Sequence, residues 1–370
     1  MTEIATTSAG LGRKIYVMNF NLKGSGFGLC ILDTINQIRY CVRENLIPVA
    51  KYDAASESHF FDSAYGDSMW EQYFEPVGPY SVADIAARLR DPDRPLSDAD
   101  FVTPSRAEIL KMIEDHPDSV FSWPYAGWRR RSPTDVEAWS AEQCAKGRQT
   151  VAECIRPKPH IREKVDGFWR ERLGEGFVLG VQIRGTDFHY APPVSPAEYF
   201  TSIDAWIARQ PDLKIFVATD QIQYLDVMRN RYPGRVVSHE CIRSDNEIAP
   251  FKMPASPYQK GEDVLLDILT LARCNHLLRG ASHVGAMAMY FGPELTCTDL
   301  SLSKTKAFGQ DYGRLWSYDG TKPAWQVVSK SPLDTVSKHA ASQSPWQQVD
   351  YAARSVVWGL IRRLRRFVGV

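Results

Sequence analysis

The first apolar run, Ile15 to Phe20, is short enough for a strand, and a glycine-rich turn follows it, Gly24-Ser25-Gly26-Phe27-Gly28. Ile31, Ile35, Ile38 and Val42 then recur at i, i+4, i+7 and i+11, the spacing of one helix face. A second apolar run, Leu46 to Ala50, closes a βαβ unit. Such a unit demands a parallel sheet, because its crossover returns the chain to the same end. From residue 54 to about 135 the pattern loosens into aromatic-rich segments read as loops, among them MWEQYFEP and WPYAGWRRR. Arg156-Pro157-Lys158-Pro159 predicts an extended linker, since each proline disfavours helix in the residue before it.

Beyond the linker, a helix near 160–172 leads into strands at 177–183, 213–218, 235–238, 276–279 and 295–299, with helices between them. The helix at 196–209 opens on Ser195-Pro196-Ala197-Glu198, a capping box with proline at the first helical position. Five alternating strands predict a doubly wound α/β domain. No internal repeat is present. The chain therefore divides into an N-terminal Rossmann-like unit (14–155), a C-terminal Rossmann-like unit (156–318) and a tail (319–370). In the tail, 319–346 is a Ser-, Pro-, Lys- and Thr-rich linker. The segment 350–370 sets Val357, Leu360, Ile361, Leu364 and Val368 against Arg362, Arg363, Arg365 and Arg366, with Trp358 nearby. That composition suits a helix lying in a membrane interface and equally a terminal helix packed on the protein.

A length of 370 residues exceeds what one core usually holds, which agrees with two domains. Lys plus Arg and Asp plus Glu stand at 44 each, so no global field draws the chain to nucleic acid, and any bound anion must be gripped locally. The seven cysteines are odd in number, scattered and without a CxxC pair, a pattern that fits a reducing compartment. MTEIATTSAGLGRK lacks the apolar core of a secretory signal, and no run approaches the roughly 20 apolar residues of a membrane span. The expected location is the cytoplasm, or the cytoplasmic face of the inner membrane by peripheral contact through the C-terminal helix.

In open parallel sheets, ligands bind beyond the C-terminal ends of the strands. The strand at 177–183 ends in Arg184-Gly185-Thr186-Asp187, that at 213–218 in Thr219-Asp220, and that at 276–279 in Gly280-Ala281-Ser282-His283, where a helix begins. An arginine fork, a helix start, hydroxyls and carboxylates thus converge. Arginine and helix N–H groups hold phosphate oxygens, and carboxylates accept from ribose or base donors. This is the chemistry of a nucleoside diphosphate site. An Arg184–Asp187 ion pair across a turn is the competing reading of one strand end, and three strand ends together outweigh it. Asp267, at the edge of the apolar stripe Val264, Ile268 and Leu271, reads equally as a satisfied structural carboxylate and as a ligand contact.

The string Gly180-Val181-Gln182-Ile183-Arg184-Gly185-Thr186-Asp187 resembles the HxRxTD motif of the α1,6-fucosyltransferase and NodZ group. VATDQ at 217–221 and DVLLDILTLARCNHLLRGASHVGA at 263–286 resemble that group's later motifs, so the likeness covers about 156–300. It implies a GT-B glycosyltransferase with two Rossmann-like domains facing a cleft. The enzyme would move fucose or a related deoxyhexose from a GDP-sugar to a glycan hydroxyl, with inversion, no metal and no cofactor beyond the donor. By the resemblance Arg184 would hold the β-phosphate, Asp267 and Asp220 would lie near guanine and ribose or in support of them, and Ser282 and His283 would face the pyrophosphate. Thr186 and the loop residues Gly24, Ser25, Gly26 and Phe27 complete the donor contacts, the loop bordering the cleft in related fucosyltransferases. Two departures stand out. Gln182 replaces the usual histidine, and Pro192 stands where vertebrate members carry a glutamate base.

Arg184, Asp187 and His189 are the candidate catalytic groups, His189 because a histidine near neutrality suits general base work. Hydrogen bonding within its loop is the alternative for His189. The GSGFG spacing is neither the dinucleotide fingerprint nor a P-loop, and a plain tight turn accounts for it as well. Asp91-Pro92-Asp93 and Asp98-Ala99-Asp100 lie in a polar run with no strand leading in, so they read as solvated loop and not as a metal site. Trp123, Tyr125, Trp128 and Arg129 to Arg131 could stack on an acceptor sugar or pack as a surface loop. Two rival functions remain. One is a nucleotide-dependent oxidoreductase using the N-terminal βαβ unit, with Asp53 after its second strand. The other is a non-catalytic nucleotide-sugar binding protein.

Overall fold

A computed structural model describes residues 12–91, 96–122, 136–186, 194, 196–246 and 248–301. The tail from 319 to 370, including its basic amphipathic segment, lies outside the described residues, as do Trp123 to Arg131 and Ser195 of the expected capping box.

β1 (Ile15–Met18), α1 (Phe27–Arg43) and β2 (Ile47–Ala50) form the expected βαβ unit. Then come α2 (Met69–Tyr73), α3 (Val82–Leu89), β3 (Phe101–Val102), α4 (Arg106–Asp115), α5 (Val136–Cys154) and α6 (Pro159–Phe168). The second unit runs β4 (Val178–Ile183), α7 (Pro196–Arg209), β5 (Lys214–Thr219), α8 (Ile222–Arg231) and β6 (Val236–Val237). It finishes with α9 (Pro257–Leu271), β7 (His276–Arg279), α10 (His283–Phe291) and β8 (Thr296–Asp299).

The strands make two sheets, ordered β2-β1-β3 and β6-β5-β4-β7-β8, and every pairing is parallel. β4 is buried along its whole length, which explains its unbroken apolar run: helices cover both faces of a central parallel strand. In each sheet the chain reverses its direction of winding beside the first strand, between β1 and β3 and between β4 and β7.

The two units share a helical layer. α1 packs on α9, α10 and α5, and one core cluster contains Phe27, Ile31, Ile35 and Phe74 together with Ile268, Met287 and Tyr290. α5 lies so close to α10 that a Cβ on Gly147 would stand 2.7 Å from the Tyr290 ring. Arg148 of α5 donates to Met289 O at 2.8 Å and Leu295 O at 3.0 Å, placing a cation at the negative end of α10.

Three sequence expectations need correction. Val42 belongs by its spacing to the apolar stripe of α1 and is 67% exposed, while Cys41 beside it is fully buried. The helix is covered on both sides through its middle, so its apolar pattern has no single phase, and the last turn projects past its neighbours. MWEQYFEP is not a loop: Met69–Tyr73 is helical, and Trp70, Tyr73 and Phe74 sit in the core. Of the expected linker, Arg156–Lys158 is extended but strapped down, since Glu75 N donates to Arg156 O and Lys158 N to Tyr73 O, each at 2.8 Å, while Pro159 already opens α6. No described helix is long and apolar enough to cross a membrane.

Candidate nucleotide-sugar site

The winding reversals of the two sheets face each other across a cleft of about 620 Å³, a volume in the usual range for small-molecule sites. α1 starts at the end of the β1 loop and α10 directly after β7, and the two helix starts touch. A Cβ on Gly28 would lie 2.9 Å from His283 Cβ and 3.0 Å from the His283 carbonyl carbon, so only glycine allows this approach. Gly28→Ala must therefore push α1 away from α10. The expected loss is about 1–3 kcal/mol of stability, as for other overpacked contacts, read as a lowered melting temperature.

At this junction the site is built for an anion. Gly24 takes φ +77°, a turn that L side chains rarely adopt, and Ser25 N donates to Leu22 O at 2.9 Å. Gly26 is the N-cap of α1 and supplies no side-chain acceptor, which leaves the first N–H groups of α1 to solvent or ligand. α10 is capped by Ser282, whose hydroxyl accepts from Val284 N at 3.2 Å. Two positive helix ends thus meet where Arg184 arrives from β4. Its Nε donates to Thr186 O at 3.0 Å, which folds the side chain against its own loop.

Asp220 secures that loop. Its carboxylate accepts from Gly185 N (2.5 Å), Thr186 N (3.3 Å) and Thr186 Oγ1 (2.6 Å). Burial pushes Asp220 above the usual carboxylate range, while the bonds from Thr186 and Gly185 and the Arg184 charge pull it back. Of the two roles that the resemblance allows Asp220, support of the loop is the one its bonds describe.

The other end of the cleft is acidic, with both of its carboxylates buried. Asp263 and Asp267 stand at i and i+4 on α9. Asp263 is engaged, accepting from Ile242 N at 2.8 Å and Gln259 Nε2 at 2.6 Å. Asp267 has a distant thiol contact, from Cys241 Sγ at 4.0 Å. Burial pushes the Asp267 carboxyl up to about 7; Arg243 opposes the rise and Asp263 adds to it. Gln182 of β4 also lines the cleft, and its Oε1 is buried with no hydrogen-bond partner, set against α10 where a Cβ on Gly285 would lie 3.2 Å from it. An unpaired buried acceptor is costly.

Of the residues picked out from the sequence, Gly24, Ser25, Gly26, Phe27, Arg184, Thr186, Asp220, Asp267, Ser282 and His283 all line this one cleft. Asp187 and His189 lie outside the described residues, as does Pro192. Asp53 is not part of the cleft lining. Its Oδ1 caps Ala55 N and accepts from Asn19 Nδ2, both at 2.9 Å, and its other oxygen pairs with Lys51. Asp100 accepts from Ser97 N at 2.7 Å and Asp98 is exposed, which makes that DxD string a solvated turn; Asp93 is outside the described residues. Among the described residues no three His, Cys, Asp or Glu side chains converge to hold a metal ion.

Sequence reasoning missed Asp33, Ser122, Lys260 and Asp263 as lining residues. Only Asp263 carried a readable signal, its i, i+4 relation to Asp267 on one helix face.

No protein-family model matches the chain. The chain is similar to nodulation protein Z of Bradyrhizobium diazoefficiens, at 23% identity over 176 residues covering 44% of this chain and 47% of that protein. It thus spans about half the length of the curated relative it matches. Among solved structures it is similar to NodZ α-1,6-fucosyltransferase soaked with GDP-fucose, with TM-score 0.48, 18% identity and coverage of 79% of this chain and 96% of that one. For fucosyltransferase NodZ from Bradyrhizobium the values are 0.44, 18%, 75% and 92%, and for POFUT1 in complex with GDP they are 0.41, 9%, 77% and 98%. The resemblance read from residues 180–187, 217–221 and 263–286 falls on the same group. Two parallel α/β units facing one cleft are the GT-B arrangement that it implied.

Proposed function

We propose that the protein is a glycosyltransferase that moves fucose, or a related deoxyhexose, from a GDP-sugar to a glycan hydroxyl, with inversion and without a metal. The observation that carries this reading is the order of chemistry along one cleft: a buried carboxylate, then an arginine set between two helix N-termini. Asp267 accepts the N–H donors of guanine, and Arg184 with the α1 and α10 starts takes the pyrophosphate. As the glycosidic bond breaks, negative charge grows on the β-phosphate and this cationic cradle stabilises it. A proposed division near residue 155 leaves the acceptor to the N-terminal unit and the donor to the C-terminal one. The cytoplasm is the proposed compartment, and the seven free cysteines support it.

The oxidoreductase reading has lost its support, since Asp53 is fully engaged away from the cleft. A thermal-shift comparison tests the proposal, because a ligand of the native state raises its apparent stability. GDP and GDP-fucose are expected to raise the melting temperature, while UDP and NADH leave it unchanged; stabilisation by NADH alone would refute the proposal. Turnover of GDP-fucose is expected to persist in excess EDTA. Activity lost on chelation and restored by Mg²⁺ or Mn²⁺ would rule out a mechanism in which arginine and helix ends carry the charge.

A further inference from the structure

Lys260 of α9 lines the cleft and is only 8% exposed, although lysine is almost never buried without a carboxylate partner. Its Nζ donates to Phe251 O at 3.1 Å and Met253 O at 3.3 Å, bonds that close the turn at Pro250–Lys252. Those two carbonyls take two of the three ammonium N–H donors and leave the charge unbalanced. Burial alone pushes the Lys260 ammonium below its usual range, with no neighbouring carboxylate opposing the shift. The charges that are close by are cations. His59 is held below its usual range by burial first, and then by Lys260, Lys252 and Lys23.

Lys260, Val264 and Asp267 stand at i, i+4 and i+7 on one face of α9, and all three line the cleft. At the helical rise they span about 10 Å. Asp263, on the same face, is spent on Ile242 N and Gln259. An ammonium donor, an apolar patch and a carboxylate thus follow in order, with Ile242, Ala249 and Pro250 adding apolar wall. That strip matches a planar heterocycle with an acceptor oxygen on one side and N–H donors on the other. Guanine has the 6-oxo acceptor and the amino donor, whereas adenine puts an N–H donor at position 6. Asp267 by itself discriminates poorly, because a carboxyl that titrates at about 7 accepts when ionised and donates when protonated. An ammonium has no acceptor and cannot exchange roles in this way.

We propose that Lys260 is the residue that selects guanine: its remaining N–H donates to the 6-oxo oxygen while Asp267 accepts from the N–H donors of the same base. The proposal rests on the nucleotide-sugar reading above. A 6-amino group would set N–H against the ammonium, so adenine is rejected by a missing bond and by repulsion together.

Calorimetric titration with GDP and 6-thio-GDP tests this, since sulfur at position 6 is a weak acceptor and leaves both N–H donors in place. Wild type is expected to bind GDP about tenfold tighter than 6-thio-GDP, the lower range for a hydrogen bond to a charged group. Lys260→Met should bind GDP about tenfold more weakly and 6-thio-GDP nearly as wild type does, so that the preference disappears. Lys260→Arg keeps a charged donor and should keep the preference. Wild type that binds the two ligands alike overturns the proposal without any variant. So does Lys260→Met that weakens both by the same factor, because a residue that only closes the turn on Phe251 and Met253 predicts that result. If Lys260→Met does not fold, Lys260→Gln carries the same test. Wild-type protein that binds neither nucleotide sinks the nucleotide-sugar reading itself. GDP binding with an unchanged preference in Lys260→Met sinks only the role of Lys260.

Discussion

Arg184→Lys is expected to fold, to bind GDP weakly and to lose kcat by about 10²-fold or more, comparable to removing one oxyanion donor. Arg184 stands at the end of β4 with its Nε bonded to Thr186 O at 3.0 Å, so the guanidinium is held at the cleft between the α1 and α10 starts. Lysine keeps the charge but loses that Nε donor and the planar fork that can hold two phosphate oxygens at once. Charge on the departing β-phosphate is greatest in the transition state, so the rate should suffer more than the affinity. Arg184→Ala should be worse in both. If Arg184 served only to close its loop on Thr186 and Asp220, the order would reverse. Melting temperature would then fall while kcat of the folded protein stayed nearly normal. Melting temperature, GDP affinity and kcat measured on both variants separate the two outcomes.

Asp267→Asn is expected to stabilise the unliganded protein and weaken GDP binding at the same time. Burial raises the Asp267 carboxyl to about 7, well above the roughly 3.9 of an unfolded chain. The folded state therefore binds a proton more tightly than the unfolded one. Its contribution to stability is complete below about pH 4 and disappears as pH rises through about 7. Above that range the ionised, buried carboxylate costs up to about 4 kcal/mol, the free energy that separates a carboxyl titrating near 7 from one titrating near 4. Asparagine removes that cost, so the gain in melting temperature should be larger at about pH 8 than at about pH 5. The ionised carboxylate is also what accepts the N–H donors of guanine. GDP affinity of the wild type should therefore fall as pH drops below about 7 and level off about 10- to 100-fold lower, and Asp267→Asn should bind GDP more weakly by the same factor, the range for a charged hydrogen bond. A variant that is neither more stable at alkaline pH nor weaker for GDP would mean that Asp267 is a satisfied structural group.

These two sites differ in how far the sequence alone exposes them. Arg184 is legible because it follows directly on an apolar strand, and strand ends in a parallel sheet collect at one edge. Asp267 is visible as an anomaly, a carboxylate on the rim of an apolar stripe, yet nothing local distinguishes a ligand contact from a paired group. Its burial beside Cys241, with Asp263 committed to Ile242 N, shows only in the fold. Asp220, expected near the nucleotide or in support of its contacts, carries three bonds from residues 185 and 186, which describe the supporting role.

By itself the sequence determined the two parallel α/β units, the strands of the second unit to within about a residue at most ends, and the strand-end cluster Arg184, Thr186, Asp220 and Ser282. Those follow from periodicity and turn chemistry, which act between near neighbours along the chain. Tertiary structure alone decided that Gly28 rests on His283, that Gln182 and Ser122 carry buried unpaired oxygens, and that the cleft runs on along Asp33. It also turned Val42 outward and drew Trp70, Tyr73 and Phe74 into the core. Each of these depends on two segments distant in sequence meeting at one place. A helix buried on both sides, as α1 is, carries no pattern saying which of its polar residues will face a cavity and which will face protein.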